Sequence, residues 1–218
     1  MALRVRGSSP PQYKRYQSYK RYLRVDFEYE CAYCNIHENE VGGPRFFTVE
    51  HYCPKADDKF PHLATVYSNL LYGCQVCNPF KLDDWPSDDP IADNTGYLDP
   101  CKHDFDDHFE PHRGFRVRGL TGPGKYMVER LHLNRAQLRK MRMLRRRAER
   151  QHKREIELLR EFVVELQTAL ASPSLVGPNR TNLAARLSRV QDQVAKKIQQ
   201  WNSRWEPIFD MEDYRDDE

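Results

Sequence analysis

Two Cys-x-x-Cys pairs, Cys31-Ala-Tyr-Cys34 and Cys74-Gln-Val-Cys77, constrain this chain more than any other feature. Each offers two thiolates at the spacing of a zinc knuckle, and two knuckles converge on one tetrahedral ion. Four sulfurs close the coordination and leave no position for water, so the expected Zn²⁺ is structural. Six cysteines in 218 residues fall far short of the ~8–10% of a secreted disulfide scaffold, and the pattern favours metal over disulfide. A redox dithiol competes for either pair alone, but two matched pairs argue against it. His37 follows Cys34 closely and Cys53 and Cys101 are near in sequence, so a swap of one ligand stays open. Thirty-nine residues separate the pairs, and that intervening chain must either loop out or carry a function of its own.

Length and charge bound the rest. A chain of 218 residues with 39% hydrophobic content reads as one domain, or one domain with an appendage. No segment approaches the ~18 uninterrupted apolar residues of a membrane helix, and the start lacks the apolar core of a signal peptide. A cytoplasmic protein with no membrane partner is expected. The formal net charge of +3 hides segregation: residues 1–24 carry seven Lys or Arg and no acid, 83–110 carry ten acids against Lys102, and 135–154 carry ten bases against Glu149. Alternating blocks of this kind suggest a surface that binds a polyanion, although each block alone reads more simply as a solvated face.

Periodicity divides the chain into four stretches. In 1–26, Tyr13, Tyr16, Tyr19 and Tyr22 recur every third residue among basic neighbours. This predicts a helix whose tyrosines pack inward in preference to stacking on bases. Residues 27–126 form a loop-rich unit with strand-like pieces at 45–49, 70–72 and 115–118, its second half an irregular acidic connector. The stretch 127–206 reads as helical: no Pro or Gly interrupts 125–171, where apolar residues at helical spacing predict one long helix, or two with a bend near Asn134, ended by Ser172-Pro173. A second helix is expected from about Asn182 to Trp205, and the two would pair as a hairpin. An acidic tail, 207–218, follows.

Between the cysteine pairs lie Glu50-His51-Tyr-Cys-Pro54 and Asn69-Leu-Leu, and the second pair continues as Cys77-Asn78-Pro-Phe-Lys81. A carboxylate before a His, an Asn some way on, and an Asn after the second pair are elements of a one-metal phosphodiesterase site. Residues 27–82 resemble the HNH endonuclease family in having these elements in order and register. The resemblance implies an α+β protein: a small ββα-metal core stapled by zinc, with a mainly helical C-terminal hairpin added. It also implies roles. His51 would be the general base, as an imidazole titrating near ~6.5 suits. Glu50 and Asn78 would hold Mg²⁺ or Mn²⁺ through oxygen. Asn69 would fix the loop and orient His51, and Lys81 would contact phosphate.

A looser resemblance, in Gly96 to Cys101, Asp107 to Phe109 and Leu131 to Arg142, is to bacterial HNH proteins that accompany ATPases in phage-defence systems such as Septu and certain retrons. It implies an ATPase or other defence-system partner docked on the C-terminal helices. The expected function is a metal-dependent DNA endonuclease or nickase, with Arg135, Arg139, Arg142, Arg146 and Arg150 along the DNA backbone. Two alternatives are a zinc-stapled DNA-binding or adaptor subunit without catalysis, and an RNA-cleaving toxin nuclease. His103, His108 and His112 lack ligand spacing and read as part of a solvated acidic loop.

Overall fold

The tyrosine-rich N-terminus forms less helix than its spacing predicts. In the computed structural model, which describes residues 3–56 and 58–209, Tyr16–Tyr19 make one 3-10 turn that runs into α1 (Lys20–Asp26). Tyr13 lies before the turn and folds back, its ring edge-on to Tyr19 at 5.1 Å. Tyr19 and Leu23 are buried, so the stripe packs on itself and on the core, as expected of amphipathic aromatics.

Gly42 and Gly43, at φ +91° and +104°, make the left-handed turn that feeds β1 (Phe47–His51). β1 pairs antiparallel with β2 (Leu70–Cys74), with Phe47 opposite Cys74 and His51 opposite Leu70. Every residue of β2 is buried, which explains its continuous apolar run where a half-exposed strand would alternate. Phe47 and Tyr72 stack at 4.6 Å across the pair. The chain then turns into α2 (Cys77–Lys81).

A second antiparallel pair follows, β3 (Phe109–His112) with β4 (Arg116–Gly119). Helix α3 (Gly122–Arg130) starts at Thr121, whose hydroxyl accepts from the Gly124 amide. A side chain at Gly119 would overlap the Lys125 backbone, and one at Gly124 the His108 carbonyl. Glycine there lets α3 lie directly on the strands.

The bend expected near Asn134 separates α3 from α4 (Ala136–Leu170). Asn134 accepts from the Val117 amide at 2.8 Å and donates to its carbonyl at 2.9 Å, a pairing that ties the break to β4. Helix α5 (Gly177–Asn202) begins before the expected Asn182, because Pro178 suits a first helical turn.

The chain divides into two compact units, one of residues 1–142 with those from Pro207 on, the other Met143–Glu206. The first holds the strands, α1 to α3 and the start of α4 around a core of Leu23, Phe27, Tyr33, Phe47, Leu70, Tyr72, Leu98 and Met127. Its boundary falls at 142/143 and not at the expected 126/127, since Leu131, Leu133 and Leu138 are all buried in this core. Pro207–Phe209 belong to it, with Arg24 donating to the Phe209 carbonyl at 2.6 Å. The rest of the acidic tail, 210–218, lies outside the described residues. The second unit is a helical hairpin in which Ile156, Leu166 and Val190 are buried and His152 stacks on Trp201 at 4.4 Å. The architecture is thus mixed, helices with small antiparallel sheets and a four-cysteine cluster. Among the described residues no helix is long and apolar enough to cross a membrane.

Candidate metal centre and the His51 site

Cys31 and Cys34 sit in a turn, Cys74 ends β2 and Cys77 opens α2. Backbone pairing brings the turn to the strand, for the Ala32 amide donates to the Tyr72 carbonyl at 2.8 Å. The four Sγ atoms are buried and lie within 4.8 Å of one another. Cys34 and Cys74 sulfurs are 3.9 Å apart, against the ~3.8 Å edge of a tetrahedron with ~2.3 Å Zn–S bonds. Amides support the sulfurs: Cys74 N–H donates to Cys31 Sγ at 3.3 Å and Cys77 N–H to Cys74 Sγ at 3.4 Å. Hydrogen bonds from the other three cysteines hold the Cys74 thiol far below its ordinary value, while burial pushes the Cys31 thiol well up. A divalent cation would let all four ionise together. Donor set, burial and spacing therefore fit a closed structural zinc. The potential swap ligands are elsewhere: His37 caps a 3-10 turn, its Nδ1 accepting from the Asn39 amide, and Cys53 and Cys101 are outside the cluster.

Arg135 corrects the sequence reading. Its Nη2 lies 3.5 Å from Cys77 Sγ and 3.8 Å from Cys34 Sγ, and its Nη1 donates to the Leu131 carbonyl. The guanidinium is turned to the sulfur cluster, where it would balance thiolate charge once a metal is bound, and not to a DNA backbone. Arg139 donates to the Gly114 carbonyl at 2.9 Å, and Arg142 to those of Leu133 and Phe115. These three hold the start of α4 within the first unit. Arg146 and Arg150, further along, are exposed.

His51 ends β1 and is 7% exposed. Its Nε2 lies 2.9 Å from the Ala64 carbonyl. A carbonyl only accepts, so Nε2 carries the proton and Nδ1 keeps the lone pair. Burial lowers the His51 pKa below 6.5, with Lys55 and Lys81 adding to the effect against the Ala64 bond. Asn69 reaches the ring indirectly. It accepts from the Cys53 amide at 2.8 Å and donates to the Cys53 and Leu63 carbonyls, clamping the loop one residue before Ala64.

Glu50 is 4% exposed, beside the Lys81 ammonium at 3.4 Å. Burial pushes its carboxyl up to about 7 against the pull of Lys81, and lowers the Lys81 ammonium. Both partners shift toward neutrality, so desolvation outweighs their attraction. Lys81 departs from its expected role. It is fully buried, donates to the His51 carbonyl at 3.0 Å, and presents no surface to a phosphate. Asn78, half-buried, stands one turn earlier on the same face of α2 as Lys81. Glu50 and Asn78 would offer a hard cation one carboxylate and one amide oxygen, which are few donors, and Lys81 competes for the carboxylate. Among the described residues the four cysteines are the one cluster of three or more His, Cys, Asp or Glu at ligand spacing.

Sequence reasoning missed Ala64, a backbone acceptor that carries no residue-type signal, and Tyr16, whose ring meets His51 edge-on at 4.6 Å. A groove of about 380 Å³ borders Cys74, Arg135 and Phe46, and His51 does not line it. No protein-family model, curated protein or solved structure matches this chain.

Proposed function

We propose that this protein is an HNH-type endonuclease or nickase that hydrolyses DNA phosphodiester bonds. One observation carries the reading: His51, following a carboxylate at the end of a hairpin strand, has its Nε2 proton committed to the Ala64 carbonyl and its Nδ1 left basic. Order and spacing of Glu50, His51, Asn69 and Asn78 around the cysteine pairs support it. In this reading His51 Nδ1 takes a proton from water as the water oxygen attacks phosphorus in line. The bond to the 3′ oxygen breaks, and the products are a 5′-phosphate and a 3′-hydroxyl. Glu50 and Asn78 would hold Mg²⁺ or Mn²⁺, which when bound supplies charge neutralisation at the phosphate and the leaving oxygen. An ATPase or other defence-system protein on the C-terminal helices belongs to the same proposal and rests on the resemblance alone.

A second reading, a zinc-stapled DNA-binding or adaptor subunit, is favoured by the buried Glu50 and Lys81 pair, which occupies the carboxylate that a cation needs. The test is nicking of supercoiled plasmid by the purified protein with Mg²⁺ or Mn²⁺, alongside single-stranded DNA and transfer RNA at equal ionic strength. The nuclease reading expects plasmid nicking that His51→Ala lowers by about 10²-fold or more, with fold and zinc content unchanged. Because the reading needs an ionised Glu50 and burial pushes that carboxyl up to about 7, activity should fall as pH drops through about 7, before His51, which burial lowers, takes up its proton. Equal DNA binding with no cleavage by either protein favours the adaptor, and cleavage of transfer RNA alone favours an RNA nuclease.

A further inference from the structure

With Lys81 buried, the His51 site still needs a cation that a phosphate can reach, and the structure holds one beside it. Lys55 is exposed on the loop that also carries Ala64. Its Nζ donates to the Tyr16 hydroxyl at 3.1 Å and lies 4.5 Å from the centre of the Tyr16 ring. That ring packs edge-on against His51 at 4.6 Å. One tyrosine therefore touches both the ammonium and the imidazole. A lysine left to itself samples many rotamers, whereas a hydroxyl acceptor together with an aromatic face fixes its head in place.

We propose that Lys55 is the residue that contacts the DNA phosphate at the His51 site, and that Tyr16 is the positioning residue that holds both Lys55 and His51. The inference rests on the nuclease reading for its catalytic consequence, but the phosphate contact stands on geometry without it. An ammonium donates to phosphate oxygens as a compact charge and carries no base preference, so the contact would add affinity without sequence specificity. The N-terminal turn thereby becomes part of the site, where the sequence alone favoured packing over stacking on bases. Lys14 and Arg15, exposed beside Tyr16, extend the positive edge.

Two measurements test this. The first follows binding of a fluorescein-labelled DNA duplex across a salt series, in a His51→Ala background that cannot cut. Lys55→Ala should lower the slope of log affinity against log salt by about one unit, and Lys55→Arg should restore it. The second is plasmid nicking by proteins with His51 intact. Lys55→Ala should raise KM by about tenfold with little change in kcat, as loss of a contact made equally in ground and transition states does. Tyr16→Ala should raise KM as Lys55→Ala does and also lower kcat, since it frees the His51 ring, while Tyr16→Phe, which keeps the ring on His51 but loses the hydroxyl, should raise KM alone. A salt slope and KM unchanged in Lys55→Ala overturn the proposal even if the wild type nicks, and leave the nuclease reading standing. A lowered slope with no nicking by the wild type upholds the phosphate contact and overturns the nuclease reading. Absence of salt-dependent DNA binding by any of these proteins overturns the contact.

Discussion

The two units solve the problem of stability in opposite ways. The first buries charge and gathers four sulfurs at metal-ligand spacing: Arg24 and Glu38 pair at 2.5 Å with side chains 8% and 0% exposed, Tyr72 donates to the same carboxylate, and four cysteines meet in one buried cluster. The second, Met143–Glu206, leaves its pairs in water. Lys197 and Glu155 meet at 2.7 Å with both side chains about two-fifths exposed, at 42% and 39%. Short strands and loops pin few of their own residues locally, so a cross-link between the Cys31–Cys34 turn and β2 would add to what the core supplies. Helices satisfy their own backbone and need only a seam. The lesson is that one charge pair type has different consequences in the two units.

Removing zinc should separate them most. A strong chelator, or Cys74→Ala, should cost the first unit on the order of 10 kcal/mol, seen as lost near-ultraviolet dichroism while the helical signal of the hairpin largely persists. Simultaneous loss of both signals would break the comparison. Next comes Glu38→Ala, which strands the Arg24 guanidinium and should cost about 3–5 kcal/mol by denaturant unfolding. A smaller effect is expected from Arg135→Ala. With fold retained, it should speed zinc transfer to a chromogenic chelator by about tenfold, as loss of an outer partner to metal ligands does, with Arg135→Lys in between. Smallest is Glu155→Ala in the hairpin, at about 0.5 kcal/mol; a cost like that of Glu38→Ala would show the surface pair to be more than it looks.

What the sequence disclosed follows the same divide. The cysteine pairs and both strands of the first hairpin were legible because ligand spacing and apolar runs are local signals, whereas the short helix at Cys77 was expected only through the ββα resemblance. The break near Asn134 was one of two readings the spacing allowed, and its cause, the side chain bonded to Val117, left no signal. The basic run from Arg135 misled because a count of charges has no phase. Leu131, Leu133 and Leu138 anchor the start of α4, and that anchoring turns Arg135, Arg139 and Arg142 to sulfurs and carbonyls. Lys81 misled for a related reason: only tertiary packing shows that it is buried under Trp85 and Tyr97. Tyr16 was assigned to packing, and does pack, but on His51. Backbone groups such as the Ala64 carbonyl, which every residue carries, leave no trace in a sequence.

The account depends on the cysteine cluster holding a metal that ties the Cys31–Cys34 turn to the end of β2 and the start of α2. The direct measurement is metal content by native mass spectrometry on the purified protein, paired with thiol counting. It should find one zinc per chain, absent from Cys74→Ala, with Cys53 and Cys101 the cysteines that react with a thiol reagent before zinc is removed. A folded wild-type chain free of zinc, or one whose Cys31, Cys34, Cys74 and Cys77 are joined as disulfides, would contradict it.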